Sequence, residues 1–148
     1  MRSHDWRLTR PRPFVSSTAE MHPNERLLRE EYEARARRDD SLLESLLAED
    51  IVWHVPGSSS IAGTYRGKAE VMDYVRRRRS LVNETFHITV HDVLANDDHG
   101  VVVASGSVVR EGVELQWRAH GLYRFEGGNI SECWVLPEDQ DAFDEIWR

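Results

Sequence analysis

The chain of 148 residues predicts an α+β fold, helices first and an antiparallel sheet after, and three patterns carry that reading. Apolar residues recur at helical spacing between Pro23 and Leu81, and the period changes to two from Glu84 onwards. Glu111-Gly112 and Glu126-Gly127-Gly128-Asn129 then cut the second half into strands. Helices followed by strands place the helices over one face of a bent antiparallel sheet.

Met1 to Glu20 holds scattered arginines, two prolines and a Ser-Ser-Thr cluster without either period, so residues 1–21 are expected as a flexible tail and 22–148 as one domain, with Met21 an alternative start. Pro23 suits the first position of a helix, Glu25 its positive end, and Leu28, Tyr32 and Ala36 recur every fourth residue up to about Asp39. Ser41 and Glu44 have capping-box spacing for a short second helix that carries Leu42, Leu43, Leu46 and Leu47. Ile51 to Val55 is β-branched and aromatic and stops at Pro56-Gly57, a strand; 58–63 reads as loop. After Gly67 a third helix runs to about Leu81, with Val71, Tyr74, Val75 and Arg78 on one face. Arg76 to Arg79 reads as cations on its solvated last turn, where they complement the helix dipole.

The strands follow as Glu84 to Leu94, Val101 to Arg110, Val113 to Phe125 and Ile130 to Leu136, with a last helical turn or two near Phe143, Ile146 and Trp147. Pairing across Glu111-Gly112 sets Val108 by Leu115, Gly106 by Trp117, Ala104 by Ala119 and Val102 by Gly121, gathering small residues on the aromatic face into a hollow. A two-residue turn at Gly127-Gly128 sets Phe125 opposite Ile130, Tyr123 opposite Glu132, Gly121 opposite Trp134 and Ala119 opposite Leu136. That register puts Glu132 among aromatics on the inner face.

A formal charge of −7 argues against nucleic-acid binding, since phosphate contacts dominate that affinity. No run reaches the ~20 apolar residues of a membrane span. Cys133 has no partner for a disulfide and no charged segment leads into an apolar one at the start, so a reduced, cytoplasmic setting is expected. His87 and His91 have a zinc-like spacing only on a helix; on a strand they stand ~13 Å apart and cannot share a metal. There is no Gly-x-Ser-x-Gly elbow and no phosphate loop, so neither metal nor cofactor is expected.

The element order, together with residues 48–57 (AEDIVWHVPG), 65–68 (YRGK), 123–130 (YRFEGGNI) and Trp134 through Gln140, resembles the SnoaL-like branch of the nuclear transport factor two-like superfamily. The resemblance covers Pro23 to Trp147. It implies a cone-shaped, cystatin-like α+β roll with a pocket between helices and sheet, usually a homodimer through the outer sheet face. Ketosteroid isomerases, polyketide cyclases, dehydratases and epoxide hydrolases share this fold, so it implies chemistry only at the level of analogy. The two acids of ketosteroid isomerase are not retained, since the base aligns with Val55 beside His54 and the second acid with Gly121 beside His120, while the oxyanion tyrosine aligns with Glu31 or, with one residue of slip, Tyr32.

Two functions follow as expectations. One is a metal-independent acid–base isomerase, cyclase, dehydratase or hydrolase for a hydrophobic carbonyl, epoxide or polyketide-like compound. Its catalytic candidates are Glu132, desolvated beside Ile130 and Trp134, Tyr123 across from it, His54 at the end of the first strand, and Asp92, which one bulge would exchange for His91. The other is a non-catalytic ligand-binding or accessory domain. Trp53, Tyr32, Trp117, Trp134, Phe86 and Leu136 are the expected walls in either case, with Trp53 or His54, not both, facing the pocket. The outer face is expected to present Val101, Val103, His120, Leu122, Cys133 and Val135 to a second copy.

Overall fold

The computed structural model describes residues 20–148, so the expected tail lies almost wholly outside the described residues. Helix α1, Pro23–Arg37, starts where the missing N–H of Pro23 is no loss, with His22 Nδ1 accepting from the Asn24 amide at 3.0 Å. It stops at Arg38, whose left-handed φ of 55° lets its N–H reach the carbonyls of Ala34 and Arg35. Helix α2, Asp40–Ser45, is capped by Asp39, whose Oδ1 accepts from Leu42 N at 3.1 Å, so the cap sits two residues before the expected Ser41.

Strand β1 is Leu47–Val55 and helix α3 is Gly67–Leu81. Between them lies a strand the pattern did not announce, β2, Gly63–Arg66: four mostly exposed residues at a sheet edge carry no alternation to read. The remaining elements are β3, His87–Ala95, β4, His99–Arg110, β5, Val113–Glu126, β6, Asn129–Pro137, and helix α4, Gln140–Ile146. The six strands form one curved, unclosed sheet in the order β2-β1-β6-β5-β4-β3. All neighbours are antiparallel except β1 and β6, which run parallel. The first and last strands are therefore adjacent in the middle of the sheet.

The expected β4–β5 register holds, with Val108 by Leu115, Gly106 by Trp117 and Val102 by Gly121. Its glycines are required by the rings above them: a Cβ on Gly106 would stand 2.3 Å from the Trp117 indole, and one on Gly121 2.5 Å from the Tyr123 ring. The hollow is real, and those two aromatics partly fill it.

The β5–β6 register does not hold. Phe125 pairs with Ile130, but Arg124 pairs with Glu132, Tyr123 with Cys133, Leu122 with Trp134, Gly121 with Val135 and His120 with Leu136. Ser131 is an extra residue, a bulge immediately after the turn, and it exchanges the faces of everything beyond it. Strand β3 has the same device at His91: Val90 pairs with Ala104, Asp92 with Val103 and Val93 with Val102. Val93 is thus buried while Asp92 and Leu94 are exposed.

Helices α1, α3 and α4 cover the inner face, and Leu28, Ile51, Trp53, Val71, Val75, Tyr123, Cys133 and Trp147 pack there as one core. Of the described helices, none is long and apolar enough to cross a membrane.

Candidate functional site

Alternation along β1 sends Trp53 inward and His54 outward, and the bulge in β6 sends Cys133 and Val135 inward and Glu132, Trp134 and Leu136 outward. On the outer face His54 Nε2 lies 2.6 Å from Glu132 Oε2, the His54 ring stacks on Trp134 with centroids 5.3 Å apart, and Arg124 Nη1 is 3.7 Å from Glu132 Oε1. The expected constellation of Glu132 with Tyr123 is therefore corrected: the carboxylate is held by a histidine and an arginine on the opposite side of the sheet. Leu136 is 44 % exposed and is no wall. Asp92 is also outward, its carboxylate accepting from the Val93 amide at 2.8 Å.

The cavity lies between the helices and the inner face, and five expected residues meet in it: Tyr32, Trp53, Phe86, Trp117 and Tyr123. Its empty space is about 510 Å³ with the mouth included, but the centre of a water molecule can reach only about 50 Å³ of that. It is a narrow slot between rings. Phe86 stacks on Trp117 at 5.8 Å, and Trp147 meets both edge-on at 5.5 and 5.7 Å.

Its polar groups come mostly from helices. Successive turns of α1 bring Glu31, Tyr32 and Arg35 together. Glu31 is fully buried, and its carboxylate accepts from both Nε and Nη2 of Arg35, four residues on. Arg35 Nη2 also donates to the Tyr123 hydroxyl at 3.1 Å, and Tyr123 and Tyr32 share a hydrogen bond of 2.6 Å. The Arg35 guanidinium lies 4.3 Å from the centroid of the Tyr32 ring and 4.9 Å from that of Trp53. On α3, the face predicted to carry Tyr74 and Arg78 is the inward one. Arg78 is buried, donates from Nη1 to the Tyr74 hydroxyl at 2.9 Å, and lies over the Tyr74 and Phe86 rings at 4.9 and 4.8 Å. The reading of all four arginines as a solvated turn is corrected for this one.

Burial fixes the protonation states. It raises the Tyr32 and Tyr123 hydroxyls well above the ordinary tyrosine value despite the opposing pull of Arg35, so both remain O–H groups. Burial works most strongly against the charge of Arg35, but Glu31 and the Tyr123 and Tyr32 oxygens together outweigh it, and the guanidinium stays cationic. The Cys133 thiol is pushed up to about 12 by the same burial, which makes it a thiol and not a nucleophile at neutral pH. Two hydroxyls carry two protons and their mutual bond uses one, so this pair has a proton to offer a further acceptor. Trp53 Nε1, Trp147 Nε1 and Arg78 Nε are buried N–H donors without a partner among the described residues.

Acceptors able to act as a base are engaged. His120 reaches the cavity rim, where its Nδ1 accepts from Ala104 N at 3.2 Å, so its proton sits on Nε2 and is donated to Glu138 at 2.6 Å. Sequence reasoning missed Arg35 and Arg78. The signal for the second was present, since Arg78 follows Tyr74 by four residues on an apolar face; for the first, Glu31 and Arg35 at the same spacing read equally well as a surface pair.

The SnoaL-like domain profile matches residues 28–133. The uncharacterised protein Rv0034 of Mycobacterium tuberculosis is 30 % identical over 122 residues, 82 % of this chain and 93 % of that protein. Among solved structures, Bal32a from a soil-derived mobile gene cassette superposes with a TM-score of 0.81 at 28 % identity, covering 85 % of this chain and 97 % of that one. A Xanthomonas campestris protein of unknown function with a cystatin-like fold gives 0.78 at 29 %, covering 86 % and 98 %. A profile spanning most of the described domain, on the α+β roll that carries this cavity, places the chain in the SnoaL-like family.

Proposed function

We propose that the protein binds a flat, hydrophobic molecule bearing carbonyl-type acceptors in the cavity between helices and sheet. The observation that carries this reading is the one-sidedness of the polar lining: hydroxyl, guanidinium and indole donors converge on an apolar slot, and the carboxylate of Glu31 lies behind Arg35, outside the lining and already taken. Such a lining complements an acceptor and does little for a donor. A carbonyl oxygen set against Tyr32 and Tyr123 would take the spare hydroxyl proton, while the cluster of Phe86, Trp117 and Trp147 walls the apolar remainder.

The same donors would stabilise an enolate, which is the ground for a second reading, carbonyl chemistry in the manner of an isomerase or cyclase. Enolate formation needs a base for the carbon proton. Glu31 is held by Arg35 and His120 by Ala104 and Glu138, so binding is the better supported of the two.

Thermal denaturation with 2-acetylnaphthalene and with 2-ethylnaphthalene tests the reading, because only the ketone offers an acceptor. The ketone should raise Tm more, and the double substitution Tyr32→Phe, Tyr123→Phe should erase the difference. Equal shifts in the unaltered protein would sink the donor argument. Exchange of the ketone's methyl protons in D2O, followed by NMR, separates the two readings: binding alone leaves the rate at that of buffer.

A further inference from the structure

Arg78 is 5 % exposed, and taking a guanidinium out of water is unfavourable unless its charge and its donors are met. One donor goes to Tyr74, two rings face its planes, and Nε meets nothing. Among the described residues no carboxylate lies within ion-pair distance of it. Its neighbours differ in this respect: Arg35 has Glu31, Arg38 has Glu84 at 3.3 Å, and Arg79 has Asp40 at 2.8 Å. One arginine in the group is thus left with rings and a phenol where the others have an acid, and aromatic faces offset only part of a buried charge.

Its position is the second observation. A cleft of about 600 Å³, mouth included, opens between α1, α3 and the start of β3 and shares Arg78, Arg35, Tyr32 and Phe86 with the aromatic cavity. Arg38 and Arg79 line it as well, but each is paired with a carboxylate, as Arg35 is, so the uncompensated positive charge of the cleft is that of Arg78, on a chain whose net charge is −7. The field of the whole molecule repels anions, and this cleft is a local exception to it.

We infer that the ligand of the cavity is an organic monoanion, its apolar body among the rings and its carboxylate in bidentate contact with Arg78, admitted through the arginine-lined cleft. The inference rests on the binding function proposed above and narrows it to acids. A planar carboxylate matches the Nε and Nη edge of a guanidinium, satisfies the orphaned donor and supplies the missing charge in one contact.

Calorimetric titration at pH 7.5 with 2-naphthoate and with its neutral counterpart 2-naphthamide tests this, since the two share shape and differ in charge. The unaltered protein should bind the acid at least tenfold more tightly. Arg78→Met should lower the acid's affinity at least tenfold more than the amide's, so that the preference is lost. A preference that survives in Arg78→Met, or its absence from the unaltered protein while the amide still binds, overturns the inference and leaves the binding function standing. Failure of both compounds to bind overturns both. Should Arg78→Met not fold, Arg78→Lys replaces it: loss of the fork should lower the preference at least threefold, and an unchanged preference counts against the inference.

Discussion

Glu31 and Arg35 can be removed together but not singly. Each is desolvated and each is the other's counter-ion, so Glu31→Gln should destabilise the fold by ~3–5 kcal/mol, whereas the pair Glu31→Gln, Arg35→Met should recover most of that loss. Urea denaturation of the two variants decides it, and an additive double variant would mean that the pair is more solvated than its geometry implies. Cys133 bears on alkaline stability. Its folded value of about 12 lies above the reference of 9.0, so the folded state holds this proton more tightly than the unfolded chain. The stabilisation is complete below pH 9 and is lost as pH rises through the window up to 12. At pH 8 Ellman's reagent should react with Cys133 only after denaturant is added; rapid reaction in buffer would show that the inner face opens readily.

The caps and turns show which local signals are decisive. Asp39→Ala should cost ~1 kcal/mol through the loss of its bond to the Leu42 amide, while Ser41→Ala should be neutral, and chemical denaturation distinguishes them. Ser41 and Glu44 satisfied the same spacing rule, but Asp39 follows the left-handed Arg38 directly, so the chain's exit from α1 selects the cap. The long elements were readable because burial acts on them as a period: Leu28 and Tyr32 on α1, where Ala34 and not the exposed Ala36 completes the buried face, and the β4–β5 pairing with its glycines under Trp117 and Tyr123. The faces of β3 and β6 were not readable. A bulge at His91 or Ser131 has no composition that marks it, and each moves a carboxylate from the predicted inner face to the outer one. That is why the expected site divided, with Tyr32, Trp53, Phe86, Trp117 and Tyr123 kept and Glu132, His54, Asp92, Trp134 and Leu136 lost.

Across the sheet, the bulges rearrange what a second copy would meet. Leu94, Val101, Leu122, Trp134 and His54 stand in one row on the outer side, where Cys133 and Val135 had been expected. Leu94 and Val101 are exposed large apolar residues in it, with Leu136 beside the row. A homodimer formed by this surface remains our proposal, and it predicts a dimeric mass by light scattering at micromolar concentration that Trp134→Asp reduces to that of the monomer. A monomeric mass for the unaltered protein at any concentration ends the proposal.

Ser131 acts on the last strand as a parity bit. With it present, even-numbered side chains from Glu132 to Leu136 look away from the cavity and odd-numbered ones look in. Flattening the bulge so that Ser131 pairs with Arg124 would invert the assignment, bringing a carboxylate and an indole to the ligand side and turning a thiol and a valine out, whereas deleting Ser131 would keep Glu132 opposite Arg124 and facing out. Whether Ser131 stands out of the ladder or pairs within it, and not the letters around it, decides whether this chain has Glu132 in its pocket.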